Sequence, residues 1–189
     1  MILDLSKDGK FVTISAFKTP AGIDSSEALK ELRTAIPATE IQFFDGTRLA
    51  GKEHLEIAVI SALYAFKTGI NISRSLAMET LLYASAQRQI DVALGRLGVS
   101  RESQTVGVVA FSENRSGAEE VQSRIAQFLG TEMNEALLDD WSEEKASRVM
   151  ELFDIGTAEL DAIKMPGQDV KEAVKKAVIE RVALLSTRT

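Results

Sequence analysis

The segment Gly46-Thr47-Arg48-Leu49-Ala50-Gly51-Lys52-Glu53 has the glycine and lysine spacing of a phosphate-binding loop that leads from a strand into a helix. Such a loop needs serine or threonine after the lysine to hold magnesium, and here Glu53 stands in that place, where its carboxylate would repel the phosphates. The expectation is therefore a strand-to-helix turn that is inert toward nucleotides. His54 comes next, beside Glu53 and near Glu56, and a histidine among carboxylates is raw material for a general base. With no cysteine in the chain, no serine in a nucleophile elbow, and Leu55 opening an apolar face beside it, His54 reads as structural. The pairs Asp139-Asp140 and Glu143-Glu144 read as a solvated face, because neighbouring residues on a helix do not converge on one substrate atom. No catalytic residue, metal ligand or cofactor is expected.

Lys67, Arg74, Arg88, Arg96 and Arg101 are spread over one stretch with only Glu79 and Asp91 as counter-charges. Arg88 is flanked by Gln87 and Gln89, and Tyr83 lies five residues earlier. Guanidinium, amide and aromatic groups together can grip a single-stranded nucleic-acid end by phosphate pairing, base-edge hydrogen bonds and stacking. Ordinary surface arginines would give the same composition.

The elements that must position these groups follow from period and punctuation. Residues 10–18 and 39–44 read as strands, and 104–111 as a buried one. A capping box at Asp24 and Glu27 opens a helix that stops before Pro37. The apolar positions Leu55, Val59, Ala62, Leu63 and Phe66 give a helix from Lys52 to Lys67, closed by Gly69. A second helix starts behind Asn71 or Ser73 and places Arg74 in its first turn; a third runs from Ile90 to Leu97. Ser116 and Glu119 form another capping box, Ser142 and Thr157 cap shorter helices, and a last helix runs from about Gln168 to Leu185. Its Val170, Val174, Val178, Val182 and Leu185 lie on one stripe. The whole reads as an α/β (α+β) protein with a single domain over 1–189: a mixed sheet of 3–5 strands packed with 6–8 helices.

The 189 residues carry a net charge of −6, unevenly distributed: +2 over 45–101 and −10 over 102–169. An acidic chain is a poor non-specific binder of nucleic acid, and 45–101 is the part able to face one without repulsion. The longest apolar run, 57–66, is far short of the ~20 residues that span a bilayer, so no membrane partner and a cytoplasmic location are expected.

The run from Asn71 through Ile90 (NISRSLAMETLLYASAQRQI), followed by Ala93-Leu94 and Gly98-Val99, strongly resembles the central motif of the PRPK-binding protein (TPRKB-like) family, archaeal type. That family is the small non-catalytic subunit of the KEOPS complex. The stretch AGKEHLEIAVISALYAF, the turn Phe153-Asp154-Ile155 with Glu159-Leu160, and the helix Ile179 to Leu185 resemble the family in the same order. Residues 131–150 look like a local extension. KEOPS installs the threonylcarbamoyl group on the adenosine next to the anticodon of transfer RNA, and other subunits carry the reaction. The resemblance implies a protein that binds and stimulates the kinase/ATPase subunit and recruits transfer RNA by its 3′ CCA end. On that reading Lys67, Arg74, Tyr83, Arg88 and Gln89 are the transfer-RNA candidates, and Val178, Ile179, Val182 and Leu185 the kinase contact. A small nucleotide hydrolase using the GTRLAGK loop and a homodimeric structural domain are the alternatives.

Overall fold

In a computed structural model of the chain, described for residues 1–19, 27, 30–31, 34, 39–165 and 167–187, four strands form one antiparallel sheet. They are β1 (Ile2–Leu5), β2 (Lys10–Lys18), β3 (Glu40–Asp45) and β4 (Thr105–Ser112), in the spatial order β1-β2-β4-β3. The expected mixed sheet is thus antiparallel throughout among the described residues. β1 is the strand that sequence reading misses: its four residues are too few to show a period. The Asp24–Glu27 capping box lies outside the described residues except for Glu27, which is helical.

β4 sits in the middle, paired with β2 from Phe11↔Ser112 to Lys18↔Thr105 and with β3 from Glu40↔Phe111 to Asp45↔Val106. Alternation then sorts the side chains. Val12, Ile14, Phe44 and Val109 face one core, and Phe17, Phe43, Val108 and Ala110 face the other. Strands buried on both faces need cover on both.

Seven α-helices provide that cover among the described residues. They are α1 (Lys52–Thr68), α2 (Leu76–Ser85), α3 (Ile90–Leu97), α4 (Arg115–Leu129), α5 (Glu143–Leu152), α6 (Thr157–Ile163) and α7 (Val170–Ala183). α4 closes one face through Val121 and Ile125, and Thr13 donates from the sheet to the carbonyl of Ala118 at 3.1 Å. The cap of α4 is Asn114, whose side chain accepts from Gly117 N, so the Ser116–Glu119 pair lies inside the helix. Likewise α6 is preceded by Gly156 rather than capped by Thr157. The other face carries α2, which packs on β3 and β4 and is wrapped by α1, α3 and α7. Except for the half-buried Met78, every residue of α2 is buried, as an all-round apolar or small sequence requires.

Residues 131–150 are built into this domain. Met133 bridges Phe17 where β1 no longer covers β2, Asn134 N donates to Ala16 O at 2.9 Å, and a short 3-10 turn at Glu135–Leu138 follows. The N-terminal ammonium pairs with Glu135.

Candidate functional site

α1 and α2 form an antiparallel hairpin, and this sorts the nucleic-acid candidates into two groups. At one end stand Lys67, in the last turn of α1, and Arg74, in the connection. Lys67 is exposed and pairs with Asp8 at 2.9 Å, a surface bond worth little. Arg74 is exposed but lies just before the cap Ser75, so it is outside the helix rather than in its first turn. The loop that presents it is tightly held. Glu79, fully buried, accepts from Ile72 N and from Ser73 N at 2.6 Å, while Ser75 Oγ caps Met78 N and donates to Glu40 at 2.5 Å.

At the other end stand Arg88 and Gln89, both exposed, in the turn that joins α2 to α3. The two ends are separated by the ten residues of α2, roughly 15 Å of helical rise. Since α2 is covered on all sides, no ligand lies along it. Tyr83 is buried between the ends, 3% exposed, and its hydroxyl is held above its ordinary pKa by burial and by Glu79, with Arg88 opposing. Its ring packs in the core and offers no stacking face.

Beside the Arg88 end lies a cleft of about 440 Å³, within the usual small-ligand range of roughly 300–1,000 Å³. Gln87, Arg96, Phe153 and Arg181 line it, together with the acidic residues Asp154, Glu159 and Glu180. The Arg96 guanidinium lies 5.5 Å above the Phe153 ring and donates to Ser85 O at 3.0 Å. Arg181 grips both oxygens of Glu159, at 2.7 and 2.8 Å, and the Asp154 carbonyl, which fixes α7 to α6.

The terminal helix departs from expectation. Val178, Val182 and Leu185 are in the core, at 0%, 0% and 1% exposure, and only Ile179 of the four kinase candidates is partly open. The apolar stripe of α7 faces α1, so those three side chains are packing residues and not a docking surface. A glutamate at Val182 would unfold the domain rather than report on a partner. Large apolar groups are instead exposed on α1, at Ile60 (50%) and Tyr64 (60%), with the half-buried Ile57 completing a stripe at helical spacing.

A family described as kinase binding protein CGI-121 matches residues 22–186. The chain belongs to the CGI-121 kinase-binding family. The match agrees with the TPRKB-like resemblance carried by residues 71–90 and covers most of the chain. No curated protein matches it. Among the described residues, no helix is long and apolar enough to cross a membrane.

In this CGI-121 family member the phosphate-loop look-alike is put to another use. Gly46–Arg48 form a 3-10 turn capped by the Asp45 side chain, which accepts from Thr47 N at 3.0 Å. Gly51 then precedes α1 at φ 102° and ψ −179°, and Lys52 N donates at 3.1 Å to the carboxylate of Asp139. The helix N-terminus attracts an anion, and a carboxylate of the chain itself is the anion it holds. A Cβ at Gly51 would come within 2.6 Å of Asp139 Oδ1, on a backbone that L residues rarely adopt. Gly51→Ala is therefore expected to cost about 3 kcal/mol in a denaturant melt; a decrease below about 1 kcal/mol would show that the turn relaxes freely.

His54, in the first turn of α1, is fully buried and makes two bonds. Its Nδ1 accepts from Ala50 N at 3.1 Å, which leaves Nε2–H to donate to Ala84 O at 2.7 Å. Burial pushes its pKa down to about 4, against the opposing effect of the hydrogen bond to the Ala84 carbonyl, with Lys145 adding to the depression. A neutral imidazole with both nitrogens engaged has no proton left to exchange with a substrate.

Proposed function

We propose that this chain is a non-catalytic accessory subunit of the KEOPS complex, which binds and stimulates the kinase/ATPase subunit and brings transfer RNA to it by the 3′ CCA end. The observation that carries this reading is the pairing of membership in a kinase-binding family with an exposed arginine and amide turn beside a ligand-sized cleft. The RNA end is taken up at Arg88, Gln89 and the Arg96-lined cleft. Lys67 and Arg74, at the far end of the hairpin, touch RNA only where a longer segment wraps around it. Asp139 at the N-terminus of α1 argues against the hydrolase alternative, because the place of a phosphate is taken.

The kinase surface is assigned to the outward side of α1 at Ile60 and Tyr64, with Ile57, which also packs against the core, at its edge. Glutamate at Ile60 or Tyr64 leaves folding intact and is expected to weaken capture of the kinase, read by size-exclusion of the mixed proteins. Charge reversal at Arg88 is expected to weaken binding of transfer RNA and to flatten its salt dependence, with log K falling by about 0.7 less per tenfold rise in salt for each phosphate that goes unpaired. Reversal at Arg74 has a smaller effect. Equal binding of transfer RNA with and without its CCA end would remove the assignment of the cleft.

A further inference from the structure

We infer that Asp154 and Glu180 make the cleft beside Arg88 selective for an RNA 3′ end that carries free ribose hydroxyls, and that the same two carboxylates turn away an end that carries a 3′-phosphate. Given uptake of the CCA end in this cleft, on which the inference rests, the charges of the walls set the direction in which the end lies and the terminal group it must bear.

The two walls differ in sign. Gln87 and Arg96 stand on the α2–α3 side, with the exposed Arg88 just outside. Asp154, Glu159, Glu180 and Arg181 stand on the side built from α6, the turn before it and α7. Two guanidinium groups thus meet three carboxylates, and the lining carries a net charge of −1. Arg181 is committed within its own wall: it donates to both oxygens of Glu159, at 2.7 and 2.8 Å, and to the Asp154 carbonyl at 2.9 Å. That bidentate pair cancels Glu159. The carboxylates of Asp154 and Glu180, both exposed, are left as the excess charge of that wall. Arg96 is held over the Phe153 ring and to the Ser85 carbonyl, so the positive wall is fixed as well.

An RNA end has the same asymmetry. Its last bridging phosphate is an anion, whereas the ribose beyond it offers hydroxyl groups, which donate, and an ionised carboxylate only accepts. The phosphate therefore lies toward Arg88 and Arg96, and the terminal hydroxyls lie toward Asp154 and Glu180. The Gln87 amide and Leu184, which is 42% exposed, supply a polar edge and an apolar contact for the base. A 3′-phosphate would bring a further charge of about −1.5 to −2 against two carboxylates that have no donor to give it.

The test is competition by short single-stranded RNAs against labelled transfer RNA on the full-length chain, at low ionic strength. RNA that ends in CCA with free hydroxyls is expected to compete on the order of tenfold better than the same RNA with a 3′-phosphate. The same phosphate placed at the 5′ end is expected to change little. In the double variant Asp154→Asn, Glu180→Gln, which keeps the shape of two exposed side chains, the penalty for the 3′-phosphate is expected to fall to about twofold. Equal competition by hydroxyl and 3′-phosphate ends, an equal loss from a 5′-phosphate, or a penalty unchanged in the double variant would each overturn the inference and leave uptake of the CCA end standing. Equal competition by RNA with and without CCA would remove that uptake and the inference with it.

Discussion

Replacing His54 by alanine is expected to lower folding stability by about 4 kcal/mol, among the largest effects a single side chain in this fold can have. The imidazole joins three parts of the chain: the Ala50 N–H before α1, its own helix, and the Ala84 carbonyl in the last turn of α2. Its removal leaves a buried donor and a buried acceptor unpaired, each worth about 1–3 kcal/mol, and opens a void beside Phe153, whose ring meets the imidazole edge-on at 5.6 Å. The same residue sets a pH dependence. Its pKa is about 4 in the folded chain and 6.5 ordinarily, so the unfolded chain takes up the proton first as pH falls. Stability is therefore full above pH 6.5 and declines progressively toward pH 4, by about 3 kcal/mol in all. His54 is the one histidine of the chain, so it is the side chain whose ordinary pKa governs the slope between about pH 5 and 6.5, and its replacement removes that part of the slope. Urea melts of wild type and His54→Gln at several pH values in that window are the measurement. An identical slope in both proteins would mean that His54 is not held neutral.

Glu79→Ala is expected to cost a similar amount, about 4 kcal/mol, by a different route. The Glu79 carboxylate is fully buried and spends its oxygens on Ile72 N and Ser73 N. Without it two backbone donors have no acceptor and the loop that carries Arg74 is released at one side. Glu79→Gln keeps one acceptor oxygen and should be destabilised about half as much. Denaturant midpoints give the energies, and amide exchange tells where they act: the Ile72 and Ser73 amides should exchange faster in Glu79→Ala. Continued protection there would show that another acceptor takes over and that the clamp is not Glu79.

Much of this architecture is legible from local signals. β2 and α1 fall where alternation, period and the cap Gly69 place them, because each is decided by residues within one turn or one strand. α3 also matches in both bounds. The errors share a physical origin. An apolar stripe such as Val178 and Val182 looks the same whether it faces a core or a partner, and only the position of α1 decides between them. Tyr83 reads in sequence as a stacking candidate and Glu79 as a counter-charge to the arginines, although the largely small and apolar sequence of Leu76–Ser85 is itself a sign of a buried helix. The contact of Asp139 with Lys52 N joins residues 87 apart, and no local pattern announces it.

The middle position of β4 also has a consequence for how the protein is made. β2 and β3 both need β4 as their neighbour, yet Thr105–Ser112 leaves the ribosome long after Lys10–Lys18 and Glu40–Asp45. Until then β2 has only the four-residue β1 beside it and β3 has no strand to join, so Val12, Ile14, Phe43 and Phe44 lie on strands that each keep an open edge. Folding must wait for the central strand, and that makes the nascent N-terminal half a natural client for chaperones during synthesis.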